Sequence, residues 1–142
     1  MYIDSMETLA DAQSVASAAG DVVSTNVYDT GAAADVGIGE ELYWYVKMNA
    51  ALVGAGASIQ AVLQTSSAVG SGYADIQVGP VVAVASATAN VTLALQRLPI
   101  GLKRYVRVVF RISGATTTAG TASAYLIKDA QANQYLTSGT AF

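Results

Sequence analysis

The sequence of 142 residues contains no histidine and no cysteine. The first absence removes the only side chain whose unperturbed pKa lies between mildly acidic and neutral pH. The second removes thiolate nucleophiles, disulfides and thiolate metal sites. We therefore expect no catalytic centre, no cofactor and no metal site, and we interpret the chain as a non-enzymatic protein.

Charged residues are also scarce: they make up 12% of the sequence, whereas hydrophobic residues make up 53%. Disordered chains show the opposite balance, so this composition predicts one folded domain. The net charge is −3. A free-standing nucleic-acid-binding protein needs a basic surface, so nucleic acid is not an expected partner. With few charges to cover its exterior, the chain is expected to bury part of its surface in a homo-oligomer or against another protein.

Long apolar runs are absent as well, since none approaches the ~20 residues that a transmembrane helix needs. Residues 1–7 lack both the basic region and the apolar region of a signal peptide. We therefore expect no membrane partner and synthesis in a cytosol.

What the sequence does contain is a repeated alternation of apolar and polar residues with a period of two, which is typical of β-strands. In residues 104–113 the alternation predicts that Val106, Val108, Phe110 and Ile112 face a core. Further strands are predicted at residues 22–28, 41–49, 59–65, 75–84 (with a bend at Gly79-Pro80), 91–96 and 122–128. Glycine-rich turns separate these segments. The pattern predicts an all-β fold of seven to eight antiparallel strands, either a two-sheet sandwich or a barrel.

The two ends of the chain depart from this alternation. Residues 1–20 carry a narrow, alanine-rich stripe with helical spacing, which predicts an N-terminal arm or short helix. Residues 130–142 are polar and are predicted to form a C-terminal tail. The β domain is accordingly predicted at residues 21–129.

The string Asp29-Thr30-Gly31 is the one enzyme-like motif. It matches the short signature of retroviral-type homodimeric aspartic proteases, in which two close carboxylates share a proton. The alternative is a turn in which the Asp29 carboxylate accepts hydrogen bonds from backbone amides. We favour the turn, because the match is four residues long at most and lacks the aliphatic residues that precede the protease aspartate.

A cationic and aromatic stripe is the strongest candidate for a binding surface. Four of the seven basic residues lie between positions 103 and 111, and strand geometry puts Tyr105, Arg107 and Arg111 on one outward face. Tyrosine and arginine are enriched at protein interfaces, and the alternative is a solvated face. The complete set of candidate interface residues is Tyr2, Ile3 and Met6 in the arm, Tyr105, Arg107 and Arg111 in the stripe, and Tyr135, Leu136 and Phe142 in the tail.

Five segments together resemble the small cement, or decoration, proteins of tailed-bacteriophage capsids, of the jelly-roll kind found in a Bordetella podophage. They are LADAQ at 9–13, STNVYDTG at 24–31, GIGEELY at 37–43, LPIGLKRYVR at 98–107 and AGTASAYLIKD at 119–129. The resemblance implies a β jelly roll that assembles as dimers or trimers on the outside of an icosahedral head and bridges subunits of the major capsid protein. It implies no catalytic residues.

The residue pattern and the resemblance to cement proteins together predict a structural virion protein on the capsid exterior, made in the cytoplasm of a bacterial host. Two alternatives remain open from the sequence. One is the homodimeric aspartic protease built on Asp29-Thr30-Gly31. The other is a tail or fibre module of a virion.

Overall fold

The computed structural model describes residues 7–31 and 42–127. Within these ranges the chain forms nine strands. They are β1 (Thr8–Ser14), β2 (Gly20–Val23), β3 (Tyr28–Asp29), β4 (Tyr43–Val53), β5 (Ser58–Ser66), β6 (Ala74–Ala83), β7 (Thr92–Arg97), β8 (Tyr105–Ser113) and β9 (Ala119–Ile127).

The strands form two antiparallel sheets that pack face to face as a sandwich. The first, here called the β4 sheet, has the order β1-β9-β4-β7. The second, the β8 sheet, has the order β2-β8-β5-β6, and β3 also pairs with β8. Since β2 and β3 share one neighbour, they act as one interrupted strand, and the remaining order is that of an eight-stranded jelly roll. The predicted all-β sandwich is confirmed.

The core lies between the two sheets and follows the predicted alternation. Trp44, Val46 and Met48 point inward from β4 and are fully buried. They belong to the same apolar cluster as Val108 and Phe110 of β8. One polar bond crosses this core, because the Trp44 indole Nε1 donates to Gln77 Oε1 of β6 at 2.7 Å. The largest side chains are thus buried where period two predicts them.

The predicted helix is wrong where the structure describes it, since residues 8–14 form an edge strand of the β4 sheet. β1 pairs with β9, from Thr8 opposite Tyr125 onwards, and buries Leu9 and Ala10. A β-bulge at Ala12, which has a φ of 45°, breaks the alternation that would have marked the strand. Pairing with β9 outweighs the weak helical preference of a short alanine-rich segment. The jelly roll therefore begins at Thr8 and not at residue 21.

Two of the weaker predicted strands differ in detail. Residues 22–28 do not form one strand, because the chain leaves the β8 ladder after Val23 and returns at Tyr28. The Ser24 hydroxyl donates to the Asn26 carbonyl at 2.9 Å and holds this short detour. The predicted bend at Gly79-Pro80 is instead a shift in register within a continuous β6. Proline is tolerated there because β6 is an edge strand.

The connections between strands divide between the two ends of the sandwich. Among the described links, β1–β2, β4–β5, β6–β7 and β8–β9 lie at one end, and β5–β6 and β7–β8 lie at the other. The second end is here called the β7–β8 end. At the β7–β8 end, Ser66, the last residue of β5, pairs with Tyr105, the first residue of β8.

Phe110→Ala should destabilise the protein by ~3–5 kcal/mol, because the ring is fully buried in the core and its removal leaves a cavity. Chemical denaturation measures this loss. Val81→Ala is the control: Val81 is 60% exposed, so its truncation should change the free energy of unfolding by less than ~0.5 kcal/mol. Equal losses in both variants would contradict the core assignment.

Candidate interaction surface

The outer face of the β8 sheet carries the predicted stripe. Tyr105, Arg107 and Arg111 alternate with the core residues of β8 and are partly exposed, as predicted. Across the ladder, Arg107 lies opposite Gln64 and Arg111 opposite Gln60 of β5. The stripe is therefore the centre of a four-stranded face, flanked by β2 on one side and by β5 and β6 on the other.

Arg111 joins the two edge strands of this sheet, because it forms one ion pair with Asp21 on β2 and a second with Asp75 on β6. Its Nε lies 2.9 Å from Asp21 Oδ1 on β2, and its Nη1 lies 3.1 Å from Asp75 Oδ2 on β6. Asp21 is its direct partner in register on β2. The guanidinium side chain is 33% exposed and the carboxylates 41% and 38%. Solvent screens such pairs, so each is worth less than ~1 kcal/mol, but together they fix the positions of these side chains.

Val62 and Val109 lie in the middle of this polar face, and they correct one detail of the sequence prediction. Val109 points outward, as expected, yet it is fully buried, like its partner Val62 on β5. Arg107 with Gln64 and Arg111 with Gln60 lie on either side of this pair in register. Long side chains cover apolar surface with their alkyl stems. The face is therefore closed over a small apolar patch by ordered polar side chains.

Arg107 is also held by groups of this chain, although by different ones from those that bind Arg111. Its Nε donates to Gln64 Oε1 at 2.9 Å, and its guanidinium carbon lies 3.7 Å from the centroid of the Tyr73 ring. This is a cation–π contact at stacking distance. Tyr73 in turn donates its hydroxyl to the Val69 carbonyl at 2.8 Å. Arg107 thereby fastens the β5–β6 loop to the outer face of the sheet.

The network keeps the carboxylate of Asp75 ionised. Hydrogen bonds from Gln64 and then from Arg111 lower the pKa of Asp75 below its ordinary value of 3.8. The same ion pairs, with Asp21 first and Asp75 second, raise the pKa of Arg111. Desolvation raises the pKa of Tyr73, and the positive charge of Arg107 opposes this shift. These charges compensate one another and hold the face in one arrangement.

Asp29 stabilises a turn, as the sequence favoured over the protease hypothesis. Its Oδ1 accepts a hydrogen bond from the Gly31 amide at 2.8 Å, and Arg104 binds both carboxylate oxygens, at 2.8 and 3.0 Å. Arg104 first and the Gly31 amide second lower the pKa of Asp29. Thr30 also stabilises this turn, since its hydroxyl donates to the Arg104 carbonyl at 2.9 Å. The turn thus ties β3 to the start of β8.

An aromatic patch on the outer face of the β4 sheet did not enter the predicted set of interface residues. Tyr45 and Tyr125 are cross-strand neighbours whose ring centroids lie 6.3 Å apart at an interplanar angle of 22°. Leu95 is opposite Tyr45 on β7 and is 40% exposed. The signal was present in the alternation of residues 41–49, which puts Tyr45 on the face away from Trp44.

The other predicted interface residues lie outside the described part of the chain. They are Tyr2, Ile3 and Met6 of the N-terminal arm, and Tyr135, Leu136 and Phe142 of the tail. Within residues 7–31 and 42–127, acidic side chains form no cluster of three that would hold a metal ion. The same residues include no helix of the length and hydropathy that crossing a membrane requires.

The model of the protein family Bbp16 matches residues 9–126, which include most of β1 and nearly all of β9 and therefore almost the entire jelly roll. No curated protein matches the chain.

Asp75→Asn should make the stability of the protein less sensitive to acid. Because the folded-state pKa of Asp75 lies below its ordinary value of 3.8, the ionised form favours folding above that pH. This contribution is lost as the pH falls through the folded-state pKa. The variant should be less stable than the wild type by up to ~1 kcal/mol near neutral pH. The gap should close as the pH falls through the folded-state pKa of Asp75, which lies below 3.8.

Urea denaturation across this pH range measures both curves. Asp11→Asn is the matched control, since Asp11 is exposed and makes no ion pair with any described residue. It should leave the curve parallel to that of the wild type. A constant gap between the Asp75→Asn and wild-type curves at every pH would contradict the ion-pair assignment.

Proposed function

The chain belongs to the Bbp16 family, a phage-related protein family, and from this membership we propose that it is a structural virion protein that cements the outside of an icosahedral phage capsid. Its partner is the major capsid protein, whose neighbouring subunits it bridges. It is made in the cytoplasm of the bacterial host and then resides on the capsid exterior. The family match over residues 9–126 is the observation that carries this proposal.

The fold supports a structural role. Jelly rolls are common in viral capsid and binding domains, although a fold alone does not define a function. In this jelly roll the described ionisable side chains with lowered or raised pKa are committed to ion pairs, hydrogen bonds or stacking within the chain. They hold surfaces in place, which is what a protein that acts through shape requires. We accordingly propose no catalytic role.

The outer face of the β8 sheet supports the proposal through its order. Arg107 and Arg111 are fixed by Tyr73, Gln64 and two carboxylates before any partner arrives. A surface that is already ordered loses little side-chain entropy on binding. Weak contacts also suffice on a capsid, because a protein that bridges several subunits binds with avidity. Assembly of the chain as a dimer or trimer would add to that avidity.

The two alternatives are less well supported. A dimeric aspartic protease needs its paired carboxylates to share one proton, whereas the Arg104 guanidinium binds both oxygens of Asp29 and lowers its pKa. A tail or fibre module would fit the same family membership. Imaging of the virion separates the two structural roles, because density for this chain on the tail and not on the head would overturn the capsid assignment.

Arg107→Glu should leave the protein folded and reduce its attachment to phage heads by at least about tenfold. The substitution reverses the charge at the centre of the polar face and removes the cation–π contact with Tyr73. Purified heads that lack this protein are titrated with the wild type or with the variant, and the amount of bound protein is measured at each concentration. Circular dichroism checks the fold of each.

Lys47→Glu is the matched control for this experiment. It makes the same change of charge on the opposite, β4-sheet face, where Lys47 lies opposite Ser123. This variant should bind heads like the wild type. Unchanged occupancy for Arg107→Glu would remove the β8-sheet face from the interface. Failure of the wild type itself to bind would overturn the capsid assignment.

A further inference from the structure

Ile100 is the most exposed large hydrophobic side chain in the described part of the protein. It lies in the connection between β7 and β8 and is 86% exposed, whereas the next such residue, Val69, is 61% exposed. Burial of an isoleucine in a partner is strongly favourable. An aliphatic side chain held this far into solvent is therefore a potential anchor for a partner.

The loop that carries Ile100 is built to hold it outward. Leu98 and Leu102, two residues before and two after it, are 7% and 5% exposed and belong to the core. The Leu98 amide donates to the Leu42 carbonyl at 2.8 Å, which fixes one side of the loop. Gly101 has a φ of 95°, a conformation that favours glycine, and the chain bends at Ile100 directly before it. Ile100 thus projects from a turn anchored on both sides.

A second apolar tip lies at the same end of the sandwich. Val69 is at the centre of the β5–β6 loop, which also lies at the β7–β8 end. The two loops are joined at their bases, because the Lys103 amide donates to Thr65 Oγ1 at 2.8 Å and Thr65 donates to the Tyr105 carbonyl at 3.0 Å. The Val69 carbonyl is held by the Tyr73 hydroxyl. The β7–β8 end therefore presents two fixed apolar tips.

The charge beside Ile100 indicates the chemistry of the partner. Lys103 is exposed and forms no ion pair with any described residue, whereas its neighbour Arg104 is paired with Asp29. In a chain with a net charge of −3, this end offers an exposed apolar side chain and, three positions further along the chain, a cation that has no ion-pair partner among the described residues. The complementary surface is a concave apolar pocket with a carboxylate at its rim.

We propose that the β7–β8 end is the surface that docks on the major capsid protein, with Ile100 inserted into an apolar pocket and Lys103 paired with an acidic side chain at the edge of that pocket. This inference rests on the proposed function. It differs from the stripe prediction, because it assigns the main anchor to a loop tip and not to the outer face of the β8 sheet.

The test titrates phage heads that lack this protein with the purified full-length chain and its variants. Ile100→Ser should weaken binding by roughly 10- to 100-fold, since it removes the apolar group that the pocket buries. Ile100→Leu keeps an aliphatic side chain of equal size and should retain most of the binding. Lys103→Glu should weaken binding and reverse the effect of added salt, because it replaces an attraction with a repulsion.

Val53→Ser is the matched control. Val53 is 50% exposed at the end of β4, on the opposite end of the sandwich, and its replacement should not alter binding. Circular dichroism and light scattering check the fold and the oligomeric state of each variant. Because the replaced side chains are exposed, every variant is expected to fold, and Lys103→Glu tests the same surface should Ile100→Ser fail to do so.

The outcomes separate the two proposals. If the wild type binds heads and Ile100→Ser or Lys103→Glu binds equally well, the docking surface is wrong and the proposed function stands. If Ile100→Ser changes the oligomeric state and not the affinity for heads, Ile100 serves contacts between copies of the chain, and the docking surface is again wrong. If the wild type does not bind heads, both proposals are overturned.

Discussion

The register of β8 between its neighbours is the constraint on which the rest of the structure depends. β8 pairs with β5 along its whole length on one side and with β2 and β3 on the other. This register puts Val108 and Phe110 in the core and, at the same time, Arg107 and Arg111 on the outer face. A slip of one residue would exchange the two sets. It would bury guanidinium groups without carboxylates, at a cost that a marginally stable domain does not survive.

The same register explains why the outer face is ordered. Arg111 has Asp21 directly opposite on β2 and reaches Asp75 on β6, so one side chain spans the sheet from edge to edge. Arg107, four positions earlier on the strand, reaches Gln64 and Tyr73. The polar network therefore depends on the packing beneath it and adds little stability of its own. Its contribution is to give the face a fixed shape and a balanced charge.

The sequence was most informative where one strand satisfied both sheet pairing and core packing. In β4 and β8 the alternation is unbroken over most of the strand, and the residues predicted to face the core are buried there. It was least informative at β1, whose alternation is broken by a bulge and whose partner β9 lies more than 100 residues away (Thr8 opposite Tyr125). The ion pairs of the polar face were equally hard to predict, because Asp21 and Asp75 are 90 and 36 residues away from Arg111 in the sequence. Ile100 is absent from the predicted set of interface residues, since its exposure follows from the burial of Leu98 and Leu102, which the pattern of single residues does not reveal.

These features also rank the two surfaces as binding sites. Arg107 and Arg111 already have partners, so a protein that docks on them must either leave those contacts intact or replace them, and little free energy is gained by exchange. Ile100 has no such internal competition, because 86% of its surface is in contact with water. The polar face is therefore suited to shape and specificity, whereas the loop tip is suited to affinity. In the proposed capsid role, a charge-poor protein would gain more from buried apolar contacts, repeated over many copies, than from ion pairs.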